Sequence, residues 1–270
     1  MNENQKELIT VLMSVYNGNE EELKQSINSI LNQTYKNFEF IIINDGMSEK
    51  LLNTIKSYSD NRIKLFHNDE NLGLAKSLNK GIKLAKGKYI ARMDADDISY
   101  DDRLEVEYKF LSTHSEYSIV GGRVQYFNQN NMIGESKISG EIKKDDLIKG
   151  TPFAHPTLMI KKDSLLKIGG YPNYRRAQDY AMEMKMYAHG YKGYILDKVV
   201  LSYRDDENNF KRRKFKYRIM EASLRHKYYK EMNVTFFKRI YMLKPIIAGL
   251  IPRKIMKNYQ EKKFKKNYKI

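Results

Sequence analysis

An α/β fold, a Rossmann-like and mostly parallel sheet with helices on both faces, is predicted by three observations. Through about the first 100 residues, apolar runs of strand length alternate with segments whose apolar residues recur at helical spacing. The runs are almost uninterrupted by polar residues, as strands buried on both faces require. Several of them stop abruptly in short polar loops, the place where open parallel sheets collect ligands.

Residues 8–15 read as a buried strand and lead into the loop Tyr16-Asn17-Gly18-Asn19. A helix follows over 20–33, with Leu23, Ile27, Ile30 and Leu31 on one face and acids at its start, where the helix dipole favours them. Residues 38–43 form a second continuous apolar strand, ending in Asn44-Asp45-Gly46. A helix over 51–58, a strand over 63–66 and a helix over 74–85 carry the chain to a fourth strand at 89–93. Beyond residue 97 the rhythm changes. The pattern there predicts a helix at 101–111, strands at 118–127 and about 132–138, and a strand with an early break over 153–160. A helix at 178–189 and a strand at 199–204 complete an irregular extension of the same sheet, suited to shaping the site of a second substrate. Pro245 and Pro252 predict two or three short helices after residue 211 in place of one long one.

The loops after the first, second and fourth strands should face one crevice. The last of them holds Asp94, Asp96 and Asp97, three carboxylates within four residues. A divalent cation is the usual way to neutralise such a loop. Mg²⁺ and Mn²⁺ take oxygen ligands and commonly bridge one or two carboxylates to substrate phosphates. The plainer reading of the same residues is a solvated acidic turn.

The 270 residues suffice for one large domain with an appendage. With no cysteine, disulfides and thiolate metal sites are excluded, and a reducing cytoplasm fits. The polar start at residues 1–7 argues against a secretory signal, and no apolar stretch reaches the ~18–20 residues of a membrane span. The formal charge of +16 is unevenly placed: residues 211–270 carry 20 Lys/Arg against 3 Asp/Glu, and residues 1–210 carry 29 against 30. An electrically balanced body, 1–210, and a basic tail, 211–270, are therefore expected. Within the body, about 1–100 would form one half and about 101–210 the other.

Seven motifs in order give the sequence a resemblance to the inverting family 2 glycosyltransferases of the GT-A fold. These are Met13-Ser14-Val15-Tyr16-Asn17, Ser29-Ile30-Leu31-Asn32-Gln33-Thr34-Tyr35 leading to Ile42-Ile43-Asn44-Asp45-Gly46, and Asn71-Leu72-Gly73-Leu74-Ala75-Lys76-Ser77-Leu78-Asn79. Met93-Asp94-Ala95-Asp96-Asp97, His155-Pro156-Thr157-Leu158-Met159, Gly169-Gly170-Tyr171 and Gln178-Asp179-Tyr180 complete the series, which covers about residues 8–205.

The resemblance implies transfer of a sugar from a nucleotide diphosphate to an acceptor hydroxyl with inversion. It implies that Asp45 accepts a hydrogen bond from uracil, with Val15, Tyr16 and Asn17 walling the base pocket; an Asx-turn is the structural alternative for Asp45. Asp94 resembles the residue at the ribose or metal region, and Asp96 the ligand of a Mn²⁺ or Mg²⁺ that offsets charge on departing UDP. Asp179 resembles the general base, at a helix N-terminus that favours its ionised form. The family more often has Glu before this aspartate; here Gln178 stands there. His155 could ligate the metal or hold the acceptor-side strand through a hydrogen bond. Lys76 could approach the diphosphate or remain a solvated helix lysine. Arg204, with Lys211, Arg212 and Arg213, resembles a basic patch that closes over the diphosphate, or else belongs to the tail. Val15 replaces the proline usual before the tyrosine.

In the tail, residues 236–243 have one apolar and one basic flank, the pattern of a segment lying in an anionic membrane interface. A helical extension packed on the body is the alternative. With the resemblance, this points to a lipid-linked oligosaccharide acceptor and to bacterial surface or capsular polysaccharide synthesis. The enzyme would then work in the cytoplasm, peripherally attached to the inner face of the cell membrane. Three rivals are weighed: a basic-tailed nucleic-acid binder, which leaves the balanced body unexplained, a sugar nucleotidyltransferase, which would carry a Gly-rich phosphate loop where Tyr16-Asn17-Gly18-Asn19 stands, and a non-catalytic relative, against which the intact Asp45, Asp96 and Asp179 argue.

Overall fold

The computed structural model describes residues 6–128, 131–204 and 215–251 and the backbone of 268–269. Strands β1 (Ile9–Val15), β2 (Phe38–Asn44), β3 (Ile63–His67) and β4 (Tyr89–Arg92) alternate with helices α1 (Glu20–Leu31), α2 (Glu49–Lys56) and α3 (Leu74–Leu84). They pair in parallel in the order β3-β2-β1-β4. Successive β1 side chains alternate between two cores, as the two-residue period of a strand requires. Ile9, Val11, Met13 and Val15 face α1, α2 and the later α4, while Leu12 packs with Leu78 and Ile82 of α3. Both faces are covered, so the expected apolar runs and parallel pairing are both present.

The second half continues the sheet. After the short β5 (Ile98–Ser99) and α4 (Arg103–Thr113) come the long β6 (Tyr117–Asn128), β7 (Asn131–Ser136), β8 (Gly140–Ile142) and α5 (Lys144–Lys149). Then follow β9 (Met159–Lys161), α6 (Lys162–Lys167), α7 (Gln178–Ala188) and β10 (Lys192–Arg204). Strand β9 inserts antiparallel between β4 and β6, and β6 also pairs with β7 and, in parallel, with β10. Residues 268–269 add a short β11 (Tyr268–Lys269) to the outer edge of β7.

Several boundaries differ from expectation for identifiable reasons. The strand expected over 153–160 starts only at Met159, because His155–Thr157 make a 3-10 turn around Pro156, which has no N–H for a ladder. Strand β10 starts at Lys192, well before 199, because a register shift between Leu196 and Val199 places charged Asp197 and Lys198 on a bulge and interrupts the apolar run. Elements β5, β8, α5 and α6 have two to six residues, too few to show a period. Helix α7, expected to be amphipathic, is buried nearly all round: Tyr180, Ala181, Met182, Glu183, Met184, Met186 and Tyr187 are all inside.

Its outer face is covered by α8 (Phe215–Glu231), a single 17-residue helix where shorter ones were expected. Leu224, Tyr228 and Tyr229 of α8, with Met232 and Val234 after it, join the same core as α7. Buried Arg225 is paired with Glu221 at 2.9 Å and donates to the Ile148 carbonyl at 3.2 Å, fixing α8 to α5. A 3-10 helix, Phe236–Leu243, and α9 (Lys244–Leu250) follow. The 210/211 boundary and Lys211, Arg212, Arg213 and Pro252 lie outside the described residues.

Candidate active site

Three polar loops leave the carboxyl edge of the sheet side by side. Val15 pairs with Asn44, and Leu12 pairs with Arg92, in the strand registers. The first backbone bonds past the strands keep them together: Asp45 N donates to the Val15 carbonyl at 2.8 Å and Met93 N to the Leu12 carbonyl at 3.1 Å. The convergence of 16–17, 44–46 and 94–97 is therefore present.

Asp45 is buried, and its carboxylate ties down the loop ahead of α3. Oδ1 accepts from Asn68 Nδ2 and Leu72 N, each at 2.8 Å, and Oδ2 from Gly73 N at 3.0 Å. The Asx-turn belongs to its neighbour: Asn44 Oδ1 accepts from Gly46 N at 2.9 Å and Met47 N at 2.8 Å. Tyr16 is half exposed beside Gly46, whose φ of +92° is the left-handed region that glycine adopts without strain. Asn17 is exposed and Val15 buried at the same edge.

The acid loop is held from three sides. Ser26 of α1 donates to the Asp94 carbonyl at 2.7 Å. Arg103 of α4, paired at 3.2 Å with fully buried Glu107, donates to the Arg92 carbonyl at 2.8 Å. From β10, Arg204 gives its backbone N–H to Asp97 Oδ1 and its Nε to the Asp96 carbonyl, each at 2.9 Å, and its guanidinium lies 3.5 Å from Glu22. Arg204 thus stands at the acid loop and clasps it through the loop's backbone.

The charges in this loop are unbalanced. Buried Arg92 pairs with Asp94, but Asp97 Oδ2 is buried without a hydrogen-bond partner among the described residues. Burial and the charges of Asp94 and Asp96 push the Asp97 carboxyl well up. Asp96 keeps an open side to solvent, yet packing on its other side and the Asp94 charge push it up to about 6. Among the described residues no three His, Asp, Glu or Cys side chains form a ready cage for a metal ion. The donor set fits the other mode, in which one or two carboxylates share a hard cation with substrate phosphates. Asp96 and Asp94 are the residues that would hold it, and their mutual repulsion is what it would relieve.

Opposite stands Asp179, in the first turn of α7 and partly exposed. Ala177, just before it, has φ 55°, a conformation costing a non-glycine residue of order 1 kcal/mol. Burial raises the Asp179 carboxyl; the Tyr180 N–H lowers it; Asp94 raises it and Arg92 lowers it. That Asp94 and Arg92 both act on Asp179 places the acid loop and the start of α7 in one electrostatic neighbourhood. One turn on, Glu183 is buried with Oε2 lacking a hydrogen-bond partner among the described residues, and burial and then Asp179 push its carboxyl well up.

His155 lies in the same neighbourhood but engages Tyr171: its Nε2 is 2.9 Å from the Tyr171 hydroxyl. Burial and then Arg92 push its pKa well down, so the ring is neutral. Of the two roles open to His155, this geometry is that of a hydrogen-bonded strand holder. Tyr171 is fixed in turn by Asn79 of α3, which exchanges 2.8 Å bonds with its backbone N–H and carbonyl. Lys76 is not brought to the acid loop; it is exposed on α3 and lines a depression with Asn79, Lys80 and Lys83. Sequence reasoning gave no role to Arg92 or Glu183 and counted Asp97 only as one of three clustered acids. A signal existed for the first, since an arginine inside an apolar strand beside three acids must be paired or functional.

A crevice of acids at the carboxyl edge of a parallel α/β sheet, with an aspartate at a helix start in the same electrostatic neighbourhood, is suited to a hard cation shared with a phosphate-bearing ligand. The chain belongs to glycosyl transferase family 2, whose family model matches residues 10–169, and it is a glycosyltransferase. It is 35% identical over 261 residues to EpsE of Bacillus subtilis (strain 168), covering 94% of each chain. It is 27% identical over 270 residues to the Escherichia coli UDP-Gal:alpha-D-GlcNAc-diphosphoundecaprenol beta-1,3-galactosyltransferase, covering 93% of this chain and 97% of that one. Among solved structures, Staphylococcus aureus TarS 1-349 in complex with UDP-GlcNAc superposes with a TM-score of 0.68 at 18% identity, over 88% of this chain and 70% of that one. The mannosyltransferase PcManGT of Pyrobaculum calidifontis, in complex with GDP-Man and Mn²⁺, gives 0.64 at 18% identity, over 91% and 71%. The fold is thus the GT-A type expected.

Proposed function

We propose that this enzyme moves a hexose-type sugar from a UDP-sugar to a hydroxyl of a lipid-linked oligosaccharide, with inversion, in the synthesis of a bacterial surface polysaccharide. Tyr16, Asn17 and Asp45 receive the nucleotide base and Val15 backs that pocket. With Asn68 and Leu72 on Oδ1 and Gly73 on Oδ2, one lone-pair position of Asp45, on Oδ2, is left for a ring N–H. Asp94 and Asp96 would hold Mn²⁺ or Mg²⁺, which would supply positive charge against the departing diphosphate. Arg204 keeps that loop in place. Asp179 Oδ takes the proton of the acceptor hydroxyl as its oxygen bonds to the anomeric carbon, and the electron pair of the breaking C–O bond leaves with UDP. The observation carrying this reading is that Asp179, at the start of α7, lies within electrostatic reach of Asp94 and Arg92, residues more than 80 positions away beside the acid loop.

The direct test is a donor screen with Mn²⁺ present: UDP-glucose, UDP-galactose, their N-acetylated forms, UDP-glucuronate and GDP-mannose. Metal-dependent release of UDP from one UDP-sugar is expected. Turnover of GDP-mannose alone would overturn the donor assignment.

The acceptor and location follow from the relative acting on a diphosphoundecaprenol-linked sugar and from the exposed apolar surface after α8. Phe236 and Phe237 are 81% and 86% exposed, with Ile240 beside them and Lys238 and Arg239 between. No helix among the described residues is long and apolar enough to cross a membrane. The proposed attachment is peripheral, to the anionic inner face of the cell membrane, with 211–270 as the basic tail and 1–210 as the catalytic body. Phe236→Ser with Phe237→Ser should weaken binding to phosphatidylglycerol vesicles by about tenfold or more, since each phenylalanine loses about 1.5–3 kcal/mol of burial. Unchanged co-sedimentation would remove these residues from the membrane contact.

A further inference from the structure

The helices divide by charge between the two faces of the sheet. Leu12, Ile41, Ile90, Ile119 and Ile160 point from the strands into one core, and α3, α5, α6, α7 and α8 cover that side. Helices α1, α2 and α4 cover the other. The first group carries 13 Lys/Arg against 7 Asp/Glu, one of which, Glu183, is buried; the second carries 5 against 6. The excess is thus not confined to the basic tail. Helix α3 alone has Lys76, Lys80 and Lys83 and no acid.

The cations concentrate at α3 and α6. Lys76, Lys80 and Lys83 recur at spacings of four and three, which stacks them along one stripe of the helix. With Asn79 and Leu84 they line a depression of about 430 Å³ that holds no carboxylate. Helix α6 is tied beside α3 at both ends: Lys162 donates to the Ala85 carbonyl, and Asn79 exchanges 2.8 Å bonds with the backbone of Tyr171. Lys83, Lys86 and Lys167 are exposed and have no carboxylate partner among the described residues. On the same two helices Leu84 and Leu166 are 38% and 45% exposed. Lysines around exposed leucines suit a lipid interface, where ammonium groups meet phosphates and apolar side chains meet the acyl boundary. A soluble polyanion would engage the lysines and leave the leucines without a role.

Position in the fold favours the same partner. Phe236 and Phe237 follow α8, which covers this side of the sheet. The opposite side begins with Glu20, Glu21 and Glu22 of α1, which an anionic surface repels.

We infer that the α3–α6 surface is a second membrane contact, made by the catalytic body with anionic lipid headgroups, so that the sheet lies flat over the bilayer on this side. The strands then run parallel to the membrane, and the donor crevice at their carboxyl ends opens sideways into the aqueous phase. The inference rests on the reading of the chain as peripherally attached, and goes beyond it in giving the body its own contact and the enzyme a fixed orientation.

The chain has no tryptophan, so a single introduced one reports its own surroundings. Full-length Leu166→Trp is mixed with vesicles of equal parts phosphatidylglycerol and phosphatidylcholine, with and without doxyl-labelled acyl chains. Its emission should shift to the blue and fall by roughly half with the doxyl lipid, as for a side chain at the acyl boundary. A Lys56→Trp reporter on α2 should not respond. Lys83→Glu with Lys86→Glu and Lys167→Glu should weaken co-sedimentation with these vesicles about tenfold or more. UDP affinity and Tm should be unchanged in that variant, since the three side chains are exposed.

A Leu166→Trp signal unmoved by vesicles that do sediment the protein would overturn the second contact and leave the tail as the attachment. Equal response to pure phosphatidylcholine vesicles would overturn the anionic-headgroup assignment. A response to dextran sulfate but not to vesicles would assign the surface to an acidic polymer instead. Wild type that fails to sediment with the vesicles at all would overturn the parent reading of peripheral attachment, and this contact with it.

Discussion

Asp179→Asn lowers the rate of sugar transfer about 10²–10⁴-fold, the usual contribution of a positioned general base. The amide keeps the shape of the carboxylate but has no lone pair basic enough to take the acceptor proton. Neighbouring carboxyls do not replace it: position 178 is Gln, and Glu183 is buried in the core with its carboxyl pushed well up. UDP affinity should be nearly unchanged, because Asp179 lies across the cleft from the nucleotide loops; calorimetry with UDP and Mn²⁺ reads this separately from turnover. The wild-type pH profile carries the same signature. Burial raises the Asp179 carboxyl, so activity should fall, as pH drops, at a higher pH than an ordinary carboxylate would give. A variant that lost UDP binding in proportion to turnover would show Asp179 to be a donor residue.

Asp96→Asn has the second large effect, and it falls on binding as well as turnover. The folded carboxyl is pushed up to about 6 against a usual 3.8, so the folded protein holds more protons than the unfolded one between those values. The stability this proton contributes is complete below pH 3.8 and is lost as pH rises through about 6. At neutral pH the metal-free protein therefore bears the repulsion of Asp96 with Asp94 and Glu22. Mn²⁺ with UDP should raise Tm more at pH 8 than at pH 5, and chelation should reverse the gain. Asp96→Asn should remove that gain and abolish metal-dependent turnover, while itself raising Tm at pH 8. An equal Mn²⁺-dependent gain in the variant would exclude Asp96 as a ligand.

The parallel half of the sheet was legible because β1, β2 and β4 are long, apolar and end abruptly, so that period, length and loop chemistry agree. The second half was harder for a physical reason. Its strands are edge or antiparallel strands set by partners distant in sequence, and β10 is broken by the Asp197–Lys198 bulge. At the site, Asp45, Asp94, Asp96 and Asp179 were named from motifs; the structure sets the loops of the first three side by side at the carboxyl edge of the sheet and Asp179 within electrostatic reach of Asp94. Charge pairing was not legible. Nothing local says that Arg92 reaches Asp94 and also influences His155 and Asp179, or that Arg204 clasps a loop more than 100 residues away. His155 shows the converse: its ligand-like residue type is explained by Tyr171, which no spacing rule connects to it. Lys76, named from motif position, stays on the outer face of α3 because the helical period places it there.

The burial of Leu224, Tyr228, Tyr229, Met232 and Val234 beneath α8 has a practical corollary for chimaeras. Swapping carboxyl-terminal segments between relatives at the charge boundary near residue 211 would strip the cover from the helix that carries Asp179. Such a hybrid would lose activity through misfolding and report nothing about membrane targeting. A junction placed after Val234 leaves that cover intact and exchanges only the exposed aromatic and cationic surface.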